Sequence, residues 1–460
     1  MEFIFLPPII VFILSYFKIN RALMAFIAST IFFGVIYTIS HPFVNDYFYV
    51  DKLGSFVLTI SSIVAVAIFV SMISLPKRIN LDKKSIKRFY RFFAVFWIGI
   101  IISILSNNMG LYWVGLEFAT LSTVYMIKVK VSKEADIEAW RYLIVGAIAI
   151  SLILFGIILI YAASKDVLGE NAMNFYSLIN NTQKINNYLF ELGFIFVMIG
   201  MFIKMGFFPM NLWLADIERA SIYQVGALFS GILESAIILG FFRFSMIEKH
   251  VNYSHLIGIG YTYILITLFF VSFLIYRAKD FVRLFSLSGI EHMSLIALFW
   301  ISGGYFAALL HFAAHAFMKP ALFISSQILE QHKKYLFKGA LKNINKFVAF
   351  MITAMFLGVI SLPPSPMFFS EIYGFKAMID IAKNSNYFFL MIGAVFVLLI
   401  LLSIIFYRFV HIYQDMQYTE EEEKEKKVYK SEIIAVFILF ISTALLLFPQ
   451  SFDFIEGITK

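Results

Sequence analysis

The 460 residues include no cysteine, which excludes disulfides, iron–sulfur ligation and thiol chemistry within the chain. Charge is scarce: 14% of residues are Asp, Glu, Lys or Arg, where a soluble domain averages about 25%. Polar linkers are missing as well. A soluble chain this long should split into domains, because one water-facing core stops growing near about 250–300 residues. There is no Walker loop, no dinucleotide-binding glycine fingerprint and no HExxH pair, so no cofactor is expected. Strict apolar–polar alternation over about 10 positions, the mark of a membrane β-barrel strand, is lacking too. Runs such as 189–203 and 387–406 are apolar all round.

What the chain has is hydrophobicity, 61% of residues, in stretches each able to cross a bilayer as a helix of about 20 residues. The expected fold is an all-α polytopic membrane protein with about 14 transmembrane helices. The spans fall at roughly 2–17, 22–40, 53–75, 90–106, 109–127, 139–163, 188–209, 222–245, 255–276, 283–302, 304–326, 346–382, 387–410 and 431–449. The first lacks a basic leader and a cleavage site, so it is expected to be a span rather than a removable signal. The twelfth is too long for one straight crossing and carries Leu362-Pro363-Pro364-Ser365-Pro366; the seventh carries Lys204-Met205-Gly206-Phe207-Phe208-Pro209. Both should break. Interruptions in matching places five spans apart point to two inverted five-helix repeats, though no residue-level repeat is visible. The division is then 1–88 (helices 1–3), 89–250 (helices 4–8), 251–412 (helices 9–13) and 413–460 (a loop and helix 14).

Charge placement orients these spans. With the N-terminus outside, the cytoplasmic connections hold 27 of the 37 Lys and Arg and the outer connections eight. The positive-inside rule predicts this asymmetry. It supports a multi-pass protein of the cell (inner) membrane with basic loops in the cytoplasm and both termini outside. The net charge of +8 thus belongs to topology and does not imply nucleic acid. The mixed-charge run Glu420–Lys427 reads as a solvated loop, and the basic loops could also dock a partner or anionic lipid.

The two remaining cations, Lys204 and Lys319, lie inside spans, where an ionisable group is expensive and usually functional. Glu117 lies in span five with nothing nearby in sequence to neutralise it. A carboxylate and an ammonium on neighbouring helices would stabilise each other's charge, either as a switchable pair or as a static one that fixes helix register. His311, His315 and Lys319 recur at a spacing of four, on one helix face over about 12 Å. No third metal ligand accompanies the histidines, so a proton relay is the better reading, and Pro320 should loosen the helix there. Glu371 follows the break in span twelve. Further relay candidates are Glu234 in the middle of span eight, Glu291 and His292 at the opening of span ten, and Asp216 at the end of span seven, which could equally be a helix cap.

At these residues the chain resembles the antiporter-like proton-translocating subunits of respiratory complex I, membrane-bound hydrogenases (the hydrogenase-4 component F type) and Mrp-type Na⁺/H⁺ antiporters. The resemblance runs through Trp113–Thr123, 200–216 ending in Trp213-Leu214-Ala215-Asp216, 227–244, 283–298 with Ser288-Gly289-Ile290-Glu291-His292-Met293, 311–323 and 362–371. It implies that Glu117 pairs with Lys204, that His311, His315 and Lys319 form a central relay, and that Glu371 is the outlet. It implies partners, namely other membrane subunits, with H⁺ or Na⁺ as the ion, and redox chemistry housed elsewhere in the complex. The Glu-His-Met string looks most like the hydrogenase branch. The end of the chain resembles a shorter, internal-type subunit without a lateral helix. Two departures stand out. Relatives carry Lys or His in span eight where Ser235 falls in this register, beside Glu234, and the usual Trp-Leu-Pro-Asp reads Trp-Leu-Ala-Asp.

Overall fold

A computed structural model describes residues 5–17, 42–79, 81–181, 185, 188–249, 254–330, 337, 339–342, 344–383, 388–417 and 428–459. The expected second span, 22–40, and the loop Glu420–Lys427 lie outside the described residues. The rest is mostly helical: α1 (Leu6–Phe17), α2 (Lys52–Met72), α3 (Lys83–Leu105), α4 (Met109–Ile127), α5 (Lys133–Leu168), α6 (Tyr188–Lys204), α7 (Leu212–Ala220), α8 (Tyr223–Leu228), α9 (Glu234–Lys249), α10 (Ser254–Tyr276), α11 (Phe281–Ile301), α12 (Tyr305–Leu329), α13 (Lys346–Val359), α14 (Pro366–Lys383), α15 (Phe388–Gln417), α16 (Lys430–Leu445) and α17 (Pro449–Thr459). Eight helices among the described residues are long and apolar enough to cross a membrane, or nine if α16 and α17, bent by 73°, form one span.

Burial sorts these helices by role. The apolar stretches of α8–α9 and of α12 are wholly buried, whereas only 28% of that in α15 is. With no water in a bilayer core to drive burial, exposed Phe396, Ile400 and Phe406 on α15 suit lipid, and the buried helices form the bundle's centre. Helix α5, 36 residues long, extends about 54 Å at 1.5 Å per residue. That exceeds a hydrocarbon core of about 30 Å, so its ends project, and its first turn is capped by Ser132.

Both expected breaks are present. The seventh span stops at Lys204 and resumes as α7 after a cis Phe208–Pro209 bond; the twelfth stops at Val359 and resumes at Pro366 after a cis Pro363–Pro364 bond. Proline at the first position of α14 suits a helix start, where its missing N–H costs nothing. A third interruption was not expected from the sequence. Between α8 and α9 the chain makes a π-helical turn, Phe229–Leu233. Such a turn inserts one residue into the helical repeat and rotates the residues on its C-terminal side.

A buried ion pair ties α2, α12 and α16 together. Arg78, in a one-turn helix (Leu75–Arg78) after α2, forms a two-pronged bridge to Glu432 in the first turn of α16, at 2.5 Å on each prong. Its third nitrogen donates to the carbonyl of Gln327 at 3.1 Å, and its cation sits 5.2 Å from the Tyr429 ring. The Glu432 side chain is fully buried. Removing one partner of such a pair strands the other charge and costs about 3–5 kcal/mol. Arg78→Ala and Glu432→Ala are each expected to lower the Tm of the detergent-purified protein clearly, whereas Arg78→Met combined with Glu432→Leu should recover most of the loss. A double variant as unstable as either single one would refute the pairing.

Candidate functional site

Two clusters of ionisable side chains occupy the interior. The first is built by α4, α5 and α6. Lys204 is the last residue of α6, where the helix's unpaired carbonyls favour a cation, and it is 3% exposed. Its ammonium donates to the Thr120 hydroxyl at 2.6 Å and sits 5.6 Å from the centre of the Tyr142 ring. Gly146 on α5 makes room for it: a Cβ there would lie 3.6 Å from Lys204 Nζ and 3.0 Å from the Thr120 methyl. Glu117, one turn from Thr120 on α4, is half-buried and within electrostatic reach of Lys204. The expected pair is therefore a near pair. Thr120 holds the ammonium, and the carboxylate stands off from it.

The second cluster centres on Lys319, which is completely buried in α12. Its ammonium donates to the Phe285 carbonyl on α11 at 2.9 Å. Three buried carboxylates interact with it electrostatically, Glu291 on α11, Glu234 on α9 and Glu218 on α7. Pro320 follows at once and lacks the N–H that would bond to Ala316, so the helix is slack here. The π-helical turn packs against that slack turn. A Cβ on Gly231 would lie 2.5 Å from Pro320 Cγ and 3.3 Å from the Ala316 carbonyl, so only glycine allows this approach.

After the extra residue of the π turn, Glu234 faces α12, with Oε2 3.8 Å from His315 Nε2. Ser235, which fills the expected titratable position, turns back and donates to Gly231 of its own helix at 2.7 Å. Glu234 Oε2 and His315 Nε2 have no hydrogen-bond partner among the described residues. Unpaired buried polar atoms are costly and are commonly satisfied by internal water.

From Glu291 a hydrogen-bonded line leaves the cluster. Ser288 donates to Glu291 at 3.3 Å and lies 3.2 Å from His292 Nε2. His292 Nδ1 and His311 Nε2 are 3.1 Å apart, and His311 Nδ1 is 2.8 Å from the Ser370 hydroxyl at the broken span. The next residue, Glu371, is half-buried and accepts a hydrogen bond from Ser361. Ser361 holds a left-handed φ of 57° at the break, a conformation that costs a serine energy and persists where the surroundings enforce it. Glu291 and His292 lie in the middle of α11 rather than at its opening. Among the described residues no group of three His, Asp or Glu could hold a metal ion.

Asp216 is neither a cap nor an interior group. It lies mid-helix in α7 and pairs at the surface with Arg141 at 3.3 Å and Arg283 at 3.9 Å. Glu218, two residues on, is the one that points inward, and sequence reading passed over it. The signal was available. Residues two apart on a helix stand about 200° apart around the axis, so an Asp216 facing water puts Glu218 inside.

Membrane-length helices, two spans broken by proline, and an ionisable interior define a polytopic membrane protein of the antiporter-like class. The chain belongs to the family described as NADH:quinone oxidoreductase/Mrp antiporter, TM, which matches residues 106–403. It is 31% identical over 301 residues to a hydrogenase-4 component F homolog from Methylacidiphilum infernorum. That match takes in 64% of this chain and 63% of the relative, less than two thirds of its length. In fold it is similar to a chain of the archaeal membrane-bound sulfane sulfur reductase, a respiratory membrane complex, at TM-score 0.83 and 17% identity over 100% of this chain and 96% of that one. It is equally similar to a chain of the Mrp complex from Dietzia sp. DQ12-45-1b, at TM-score 0.83 and 14% identity over 100% and 95%.

The register of α9 makes a test. In any assay of ion movement through this chain, Glu234→Ala should reduce the rate about tenfold or more, on the scale of losing one positioned proton carrier. Ser235→Ala should leave it within about twofold, since only a local hydrogen bond is lost. The reverse pattern would show that the π turn does not set the register.

Proposed function

We propose that this chain moves protons across the cell membrane as one subunit of a larger redox-driven complex, of hydrogenase or NADH/quinone type, with the redox centres in other subunits. The observation that carries this reading is the buried line from Lys319 through Glu291, Ser288, His292 and His311 to Ser370 and Glu371. Every member can donate or accept a proton; from Glu291 to Ser370 successive groups lie 2.8 to 3.3 Å apart, Lys319 is within electrostatic reach of Glu291, and Glu371 follows Ser370 in the chain. Glu117 and Lys204 act at the other end. A partner subunit that pulled Glu117 closer would favour the charged ammonium; one that withdrew it would favour release of the proton from Lys204. Tyr142 lies between the two clusters, against Lys204 on one side and Phe229 of the π turn, 5.3 Å away, on the other.

The finer topology belongs to the same proposal: 14 spans, inverted repeats formed by helices 4–8 and 9–13, and basic loops in the cytoplasm. The likeness to a hydrogenase-4 component supports the hydrogenase branch. A second reading, transport of Na⁺ against H⁺, is favoured by the equal fold match to an Mrp chain and by three carboxylates converging on one interior.

One assay separates these readings. In vesicles carrying the assembled complex, Glu117→Gln and Lys204→Ala are each expected to cut proton movement at least about tenfold while the subunits still co-purify. Full pumping by both variants would sink the assignment. A rate unchanged across a sodium titration supports the proton reading, and a rate that vanishes without sodium supports the antiporter.

A further inference from the structure

We infer that Glu218 is a proton-carrying residue of the central cluster, the group through which Lys319 exchanges protons with the α7 side of the protein. This rests on the proton-translocation reading above. Glu218 is 2% exposed, and neither the broken-helix pattern nor the histidine spacing pointed to it. One of its carboxylate oxygens, Oε2, has no hydrogen-bond partner among the described residues. The Ser286 hydroxyl of α11 stands beside the carboxylate, and Lys319 of α12 and Glu234 of α9 are its charged neighbours.

A structural role fits these facts poorly. A carboxylate retained for stability would be paired, as Glu432 is with Arg78 at 2.5 Å. Cations for such a pairing lie close in sequence, yet Arg219 reaches Asp280 at 3.6 Å, and Arg141 and Arg283 go to Asp216. The surface ion cluster takes up the neighbouring arginines, and Glu218 stays behind it in the interior. Burying a carboxylate with one oxygen unbonded costs free energy. Its position offsets that cost in function. It stands one residue from the surface-facing Arg219 and two from Asp216, and on the inner side Lys319 is within its electrostatic reach. It is placed to accept a proton from the α7 side and pass it to Lys319 or Glu234, and an unpaired buried oxygen is the kind of group that internal water bridges.

The test uses the tagged full chain with whatever subunits co-purify, reconstituted in vesicles, with a valinomycin-set potassium diffusion potential driving protons inward and a pH-sensitive dye as readout. Glu218→Gln keeps the shape and removes the titratable group; its rate is expected to fall about tenfold or more. Glu218→Asp, which restores the carboxyl, should return to within about threefold of the unaltered chain. A purely structural side chain would not show this rescue. Asp216→Asn should stay within about twofold, because exposed ion pairs contribute little. Lys204→Ala is the reference. If Glu218→Gln conducts normally while Lys204→Ala does not, the inference is overturned and the proposed function stands. If Glu218→Asp is as slow as Glu218→Gln, the residue is structural and the inference again fails. If Lys204→Ala conducts normally, or the unaltered chain does not conduct at all, the proposed function falls and the inference with it.

Discussion

The ammonium of Lys319 is shut away from water, and the arrangement of the surrounding helices answers that constraint. A cation at this depth is expensive unless negative or polar groups surround it. Here one carbonyl, that of Phe285, accepts its hydrogen bond, and Glu218, Glu234 and Glu291 stand around it on three different helices. One cation cannot match three carboxylates at once. Under the proposed function the four groups share protons as a set, each taking up or releasing one according to the state of the others. A static scaffold would have little use for such a mismatch. A relay depends on it, because a proton arriving at one member changes the balance at the next.

Disrupted helix turns make the arrangement possible. Pro320 loosens α12 immediately after Lys319, the π-helical turn Phe229–Leu233 rotates Glu234 inward, and Gly231 lets the two turns touch. The proline breaks in the seventh and twelfth spans end helices where Lys204 and Ser361 are needed. Irregular backbone at membrane depth is tolerated only inside protein or beside water, and each of these irregular turns lies next to an ionisable side chain. The most outward-facing helix, α15, is regular, and its ionisable residues Arg408, His411 and Asp415 lie in its last three turns.

Much of this was legible in the sequence. Scarce charge and long apolar runs announced a membrane bundle, proline and glycine strings announced two breaks, and the fourfold spacing of His311, His315 and Lys319 placed them on one face. Helical periodicity assumes an unbroken repeat, however, and the π turn violates it. It leaves Glu234 facing His315 on α12 and turns Ser235, the position expected from the resemblance, back onto its own helix. The Lys204 contact differs for another reason: sequence suggests charge partners, but a hydroxyl one turn away, Thr120, is closer. Glu218 was hidden by its neighbour, since Asp216 completes the familiar Trp-Leu-x-Asp string and Glu218 belongs to no motif.

Of the interior groups, Lys319 is the one on which the proposed proton movement depends most directly. Proton movement through vesicles bearing the assembled complex is compared between the unaltered chain and Lys319→Met, which preserves length and apolar bulk but carries no proton. The rate in Lys319→Met is expected to fall about tenfold or more, with the complex intact by size and subunit composition. Movement at the unaltered rate in Lys319→Met would contradict this dependence.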